Sequence, residues 1–267
     1  MARASAKLVG AMKYRSVLRV MVRRDLRIRY ARSVLGYVWT ILDPLSMCLV
    51  YWVVFAIIFD RGSVGHQPYI LFLLSGLLPW QWFNASVLES ARALMSEQKM
   101  VRSSSLPRQL WVLRVVIAKG IEFLLSLPVL IGFAIAYVFL GHTEINWRLI
   151  LIPVAIFLQF MLCVGIGLVL APLNVLVTDS ERVVRIILRV LFYATPIIYA
   201  TTSQIPWIHA ILIANPLTGI MELYRAGLFH FHLDRAALFS SVLSTIAWVV
   251  IGWLVFKRLE RPVLKEI

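Results

Sequence analysis

The sequence predicts an all-α integral membrane protein: six transmembrane helices, an N-terminal amphipathic interface helix, and re-entrant outer helices between spans 5 and 6. Three observations predict it. Of the 267 residues, 61% are hydrophobic and only 15% charged, whereas a soluble domain is about half apolar and about a quarter charged. Six stretches carry no Asp, Glu, Lys or Arg: 44–59, 62–88, 123–143, 149–178, 190–221 and 236–256, with 16, 27, 21, 30, 32 and 21 residues. Finally, the 27 Lys and Arg are distributed very unevenly among the connecting segments.

About 20 apolar residues cross the hydrocarbon core as a helix. Five of the six stretches suffice outright, and the first does once Trp39 to Leu42 join it, with Asp43 close to the interface. The expected spans are 37–59, 67–88, 109–140, 148–172, 183–200 and 236–256. Segments 1–43, 89–122, 179–189 and 257–267 hold 23 Lys and Arg with 9 acids, against 4 and 4 in the alternate segments. The positive-inside rule puts the first group in the cytoplasm, with both termini and the tail 257–267. The inner face then carries the whole net charge of +14. Such basicity could suggest a nucleic-acid partner; orientation accounts for it, and no nucleic acid is expected.

Residues 1–36 form the expected interface helix. Arg15, Arg19, Arg23 and Arg27 recur every fourth residue, and Tyr14, Val17, Leu18, Met21 and Ile28 gather opposite. A basic face and an apolar face suit the cytoplasmic membrane surface. Asp25 falls on the apolar arc, four residues before Arg29, so an intrahelical pair is expected there. The segment lacks an early apolar core, and no cleavable signal is expected. The third span is long, because Arg114, Lys119 and Glu122 at helical spacing extend it below the membrane. The stretch 190–221 is too long for one helix and is punctuated by Pro196, Pro206, Asn215-Pro216 and Gly219. The outer region 201–235 is too apolar for an ordinary loop; non-helical backbone at that depth must be covered by protein or a wet cavity. Cys48 and Cys163 lie in apolar runs and offer neither a zinc spacing nor a disulfide framework. His66, His142, His209, His230 and His232 are surface residues, and no metal site is expected.

These segments resemble the polysaccharide-exporting branch of the type-2 ABC transporter permeases, membrane subunits that export O-antigen, capsule, teichoic acid, cell-wall galactan and related lipid-linked glycans. "RDLRIRYARSVLGYVWTILDPL" (Arg24–Leu45) carries the resemblance first, through Arg24-Asp25, Arg29-Tyr30, Leu35-Gly36, Trp39 and Pro44-Leu45. "LLPWQWFNAS" (Leu77–Ser86), "LPRQLWVLR" (Leu106–Arg114), "VTDSERV" (Val177–Val183), "ATPIIYA" (Ala194–Ala200) and "NPLTGIMELYRAGLF" (Asn215–Phe229) follow in the family's order. Leu106 and Thr178 stand where the family often has Phe and Arg.

The resemblance implies a homodimer with two copies of a separate ABC ATPase subunit, a polyprenyl-linked polysaccharide as cargo, and a path between protomers in contact with membrane lipid. ATP and Mg would sit on the partner subunit. This chain has no G-x-x-x-x-G-K-[ST] of its own, so no cofactor and no enzymatic activity are expected of it. The loop 89–108 would be the coupling element and gate, with Glu97, Lys99, Arg102 and Arg108, joined by Arg23, Asp25 and Arg27 of the interface helix. Tyr51, Phe55, Trp80, Trp82 and Phe83 are the expected channel aromatics, although Trp and Tyr also belong to interface belts. Glu222 and Arg225, three apart, either neutralise each other near lipid or serve an outer gate. An ABC permease for a small hydrophobic drug or lipid is the alternative reading. A membrane-embedded enzyme would need converging acids, bases or metal ligands, which the thinly scattered acids do not provide.

Overall fold

The computed structural model describes residues 2–31, 33, 35–58, 66–142, 146–200 and 206–266, with the side chains of 2–13, 30, 37, 56 and 206 excepted. Among the described residues every regular element is helical. The order is α1 (Ala2–Tyr30), a 3-10 turn (Gly36–Val38), α2 (Trp39–Trp52) prolonged by a π-helical stretch (Val53–Ile58), and α3 (Tyr69–Arg92). A second 3-10 turn (Met95–Glu97), α4 (Gln98–Ser103) and α5 (Gln109–Phe139) follow. A third (Trp147–Leu151) leads into α6 (Ile152–Leu176), then α7 (Ser180–Ala194), α8 (Pro206–Ala214), α9 (Pro216–Arg225) and α10 (Arg235–Glu266).

Four helical stretches, Tyr69–Arg92, Gln109–Phe139, Trp147–Leu176 and Arg235–Glu266, are long and apolar enough to cross a bilayer, and Trp39–Phe55 is a shorter apolar helix. Ile131, Ile135, Phe157, Leu243 and Ile246 are exposed along these helices. Such a surface suits hydrocarbon and not water. The protein is a multi-pass integral membrane protein.

Several expected boundaries change. The interface segment 1–36 is not one helix: α1 ends at Tyr30, and Gly36 takes a positive φ of 49° in the corner before α2. Arg92 still belongs to α3, so the loop 89–108 begins as helix and holds α4 at its centre. The fifth expected span, 183–200, is helical only to Ala194, because Pro196 lacks an amide and disfavours helix at Thr195. The tail 257–267 continues α10 as helix to Glu266. Residues 201–205 of the outer region, and Phe59, lie outside the described residues.

Helix α3 is the centre of the bundle. In it, 78% of the most apolar window is buried, against 17–28% in the other three long stretches, and it packs on α2, α5, α6, α7 and α9. The closest helix pair is α6 with α10. A Cβ added to Gly165 would lie 2.6 Å from the Trp248 carbonyl carbon, and one on Gly252 would overlap the Gly165 carbonyl. In lipid no hydrophobic force draws helices together, so backbone approach through small residues supplies the contact. Buried polar groups add to it: Gln159 of α6 donates from Nε2 to the Pro79 carbonyl at 2.7 Å. Cys48 and Cys163 are free and buried.

Gly252→Leu should therefore destabilise the fold by about 1–3 kcal/mol through overpacking, read as a lower melting temperature in detergent. Gly132→Ala, whose new Cβ meets nothing within 4 Å, should leave it unchanged; equal effects from both would remove the α6–α10 argument.

Candidate functional site

At the end of the bundle where α1 lies along α5, the side chains of Arg15, Arg19, Arg23 and Arg27 are all exposed. Met21 and Val22 face inward and are buried, whereas Ile28, expected on the apolar face, is 65% exposed. Met21 joins Leu94, Val101, Trp111, Val112, Phe256 and Val263 in a small core that binds the segment between α3 and α5 to α1, α5 and α10.

The acid on the apolar arc has a buried partner. Arg114 of α5 places Nε 3.4 Å from Asp25 Oδ2 and Nη1 3.4 Å from Glu97 Oε1. Glu97 also pairs with Arg24 of α1, and the Arg114 guanidinium lies 5.1 Å over the Trp111 ring. The expected Asp25–Arg29 pair is thus replaced. Arg29 reaches Glu89 at 2.7 Å and Glu122 at 3.1 Å, and Lys119 holds the same two acids at 2.8 and 3.0 Å. Asp25 and Arg29 lie one turn apart on the side of α1 that packs on α5, and each finds an interhelical partner there, Arg114 for Asp25 and Glu122 for Arg29. Farther on, Arg92 donates from Nε to Glu181 of α7 at 2.6 Å, Glu181 also pairs with Arg185, and Arg108 lies 3.5 Å from Glu260 of α10. Lys99 and Arg102 on α4 are exposed.

Burial lifts the Asp25 carboxyl above its usual range, against the pull of Arg114 and Arg24. At Glu181 the hydrogen bond from Arg92 dominates and holds the carboxyl down at about 2, from an ordinary 4.5. A depressed carboxylate contributes fully above its unfolded pKa and loses that contribution only as pH falls through the folded value. The α3–α7 link is therefore intact throughout the neutral range.

Farther along the bundle, Tyr51 of α2 stacks on Phe192 of α7 at 5.8 Å and lies 6.3 Å from Phe55. Trp80 of α3 meets Phe192 edge-on at 5.4 Å. Tyr51 and Phe55 are half-buried. The other expected channel aromatics need correction. Trp82 and Phe83 are 4% and 2% exposed within the single chain, and Trp80 only 7%. Trp82 stacks on Phe123 at 5.0 Å and donates to the Val116 carbonyl at 3.4 Å. In this conformation these three are packing residues. Phe192 and Tyr193 were missed because α7 was read for topology alone; aromatics on a short span facing α2 were the available signal.

Glu222 and Arg225 are each 3% exposed, inside the protein and away from lipid. Arg225 donates to the carbonyls of Pro196 at 2.6 Å and Ile197 at 2.8 Å and to Ser75 Oγ at 3.3 Å, with its guanidinium 3.7 Å from the Phe72 ring centroid. A Cβ on Gly76 would come within 2.6 Å of Arg225 Nη2, so only glycine admits the guanidinium there. Glu222 accepts from the Asp234 amide at 3.0 Å. Asn215 caps α9 by accepting from the Leu217 amide at 3.0 Å, and its Nδ2 donates to Thr195 Oγ1 at 2.9 Å. Arg225 is a strut under the break after α7, a role that neither expectation included.

Residues 16–229 match the family described as ABC-2 type transporter. The chain belongs to that family. The matched region runs from α1 to the segment just after α9, and includes most of the charge network and the Arg225 strut. Among relatives, the O-antigen export system permease protein RfbA of Klebsiella pneumoniae is 30% identical over 248 residues, 91% of this chain and 92% of the relative. Its namesake in Myxococcus xanthus is 32% identical over 226 residues, 84% of each. The polysialic acid transport protein KpsM of Escherichia coli is 25% identical over 244 residues, 90% and 92%.

Two substitutions probe these sites. Asp25→Asn should cost about 1–3 kcal/mol of charged hydrogen bonding and speed amide exchange in α1, with Asp25→Glu close to wild type; unaltered exchange would mean that Glu97 alone holds Arg114. Arg225→Leu should cost about 1–3 kcal/mol for each carbonyl left without a donor and open the 195–200 segment to protease. Arg225→Lys, which keeps the charge without the fork, should recover only part.

Proposed function

We propose that the chain is the permease subunit of an ATP-driven ABC exporter that moves a polysaccharide across the bacterial plasma membrane. One observation carries this reading: relatives named for O-antigen export and polysialic acid transport align with it over 84–91% of its length. Those names favour a glycan over the small hydrophobic drug or lipid of the alternative reading.

The finer parts of the proposal are these. Six spans cross the membrane, both termini are cytoplasmic, and α8 and α9 form a re-entrant outer region. The cargo is polyprenyl-linked. Two copies of this chain associate with two copies of an ATPase subunit, which binds ATP and Mg. Helix α7 supports the homodimer. It exposes Val183, Ile186, Ile187, Val190 and Tyr193 beside Arg182, Arg185 and Arg189. Cations among apolar residues on a span face are costly in lipid and fit a protein interface or wet path. Tyr51 and Phe55, against Phe192, then stand at the edge of that path, where aromatic faces suit sugar rings.

Coupling follows from the charge network. The exposed Arg23, Arg27, Lys99 and Arg102 would meet the ATPase, and between α1 and α4 lies an apolar cleft of about 430 Å³ that includes Val17, Val20, Met100 and Leu106. Movement of α4 would reach α5 through Glu97–Arg114 and α1 through Glu97–Arg24. The Arg92–Glu181 pair would carry it from α3 to α7. Such packed, paired elements shift as units rather than deform continuously.

Depletion of the permease should abolish surface polymer and leave lipid-linked polymer in the cytoplasm, with restoration from a plasmid copy; an ATPase subunit should co-purify with the permease. Normal surface polymer after depletion would falsify the exporter reading.

A further inference from the structure

A cavity of about 460 Å³ opens among α2, α3 and α5, and none of its lining residues belongs to the Tyr51–Phe55–Phe192 cluster. Its size falls within the about 300–1,000 Å³ of small-ligand sites. At the end nearest α1 it is bounded by Arg29, Lys119 and Glu122. These charges are already satisfied by one another and by Glu89. An anion entering the cavity would therefore have to displace a carboxylate.

The wall is different. Gln81 and Asn84, one turn apart on α3, line the cavity and are half-buried. Among the described residues neither side chain has a hydrogen-bond partner. Asp43 lines the cavity from α2, and among the described residues its carboxylate has no ion-pair partner. Gln81 stands eleven residues before the end of α3 at Arg92, about 16 Å along the axis at about 1.5 Å per residue. At that depth an unpaired amide persists only where it meets a wet cavity or a ligand.

The unpaired groups have one chemistry in common. Each amide both donates and accepts, and the carboxylate accepts. Beside them, the stacked Trp82 and Phe123 line the cavity, and Trp39 also lines it, 46% exposed. A ligand whose hydroxyls donate and accept, and whose ring also offers an apolar face, complements this set. A phosphate does not, because among the described residues each cation lining the cavity already holds a carboxylate.

We infer that this cavity holds a saccharide ring at the cytoplasmic leaflet: the sugar nearest the lipid anchor of the cargo, taken up sideways from the bilayer before the glycan reaches the aromatic cluster. The inference rests on the polysaccharide-export reading above. Gln81, Asn84 and Asp43 bind the hydroxyls, and the exposed Trp39 covers the apolar ring face.

The test uses the full-length permease in lipid nanodiscs, titrated with octyl glucoside and, separately, octyl phosphate, while tryptophan fluorescence is followed. Octyl glucoside should give a saturable change that Trp39→Phe diminishes and octyl phosphate does not reproduce. The double variant Gln81→Met with Asn84→Leu should weaken glucoside binding at least tenfold with its melting temperature unchanged or raised, since neither amide has a protein partner to lose. Equal binding of octyl phosphate, a non-saturable glucoside signal, or undiminished affinity in the double variant would each overturn the assignment. A lowered melting temperature in the double variant would overturn it too, by making the amides structural. Polymer export measured in cells keeps the two readings apart: a failed glucoside assay with export intact sinks only the cavity, whereas normal export after depletion sinks the exporter reading itself.

Discussion

A helix that ends inside a packed bundle leaves backbone carbonyls that need donors, and the end of α7 is organised around that constraint. The carbonyls of Ala194, Pro196, Ile197 and Ile198 are taken up by Asn215, Arg225 twice, and Tyr69. One guanidinium supplies two of these bonds, lies against Phe72, and requires the glycine at position 76. Through it α3, α9 and the stretch after α7 become one packed unit. The fold can therefore turn the chain back after a helix of only 15 residues without leaving polar backbone bare.

The opposite end of the bundle meets a different requirement. Buried cations on α5, Arg114 and Lys119, need carboxylates, and these come from α1, α3 and the segment between α3 and α5 as well as α5 itself. Breaking such a pair is costly because one charge stays buried. The pairs therefore tie these helices together. The α1 helix is held by this network and by Met21 and Val22, while its arginine stripe stays free for a lipid surface or a partner.

Between the two ends, α3 separates two aromatic sets. Trp80 turns toward α7 and joins Tyr51 and Phe192, whereas Trp82 turns toward α5 and stacks on Phe123. Two residues apart on a helix, they face different neighbours, and of the two only Trp82 borders the polar cavity.

The long membrane helices were legible from local composition. Charge-free length marks Tyr69–Arg92, Gln109–Phe139, Trp147–Leu176 and Arg235–Glu266, because transfer between water and lipid acts residue by residue. Pro196 and Asn215-Pro216 were legible as punctuation for the same local reason, but the helix end at Ala194 was not, since the expected span runs to 200. The pairing of charges was not: Asp25 lies four residues from Arg29 but pairs with Arg114 of the neighbouring α5, a contact that no spacing within one helix encodes. Burial of Trp82 and Phe83, and the strut role of Arg225, likewise depend on which helices become neighbours. The sequence by itself determined membrane residence, the helical class and the family's motifs. Only the tertiary structure decided which polar groups find partners and which, like Gln81 and Asn84, are left facing a cavity, because hydrogen bonds and ion pairs are fixed by contacts between helices far apart in the chain.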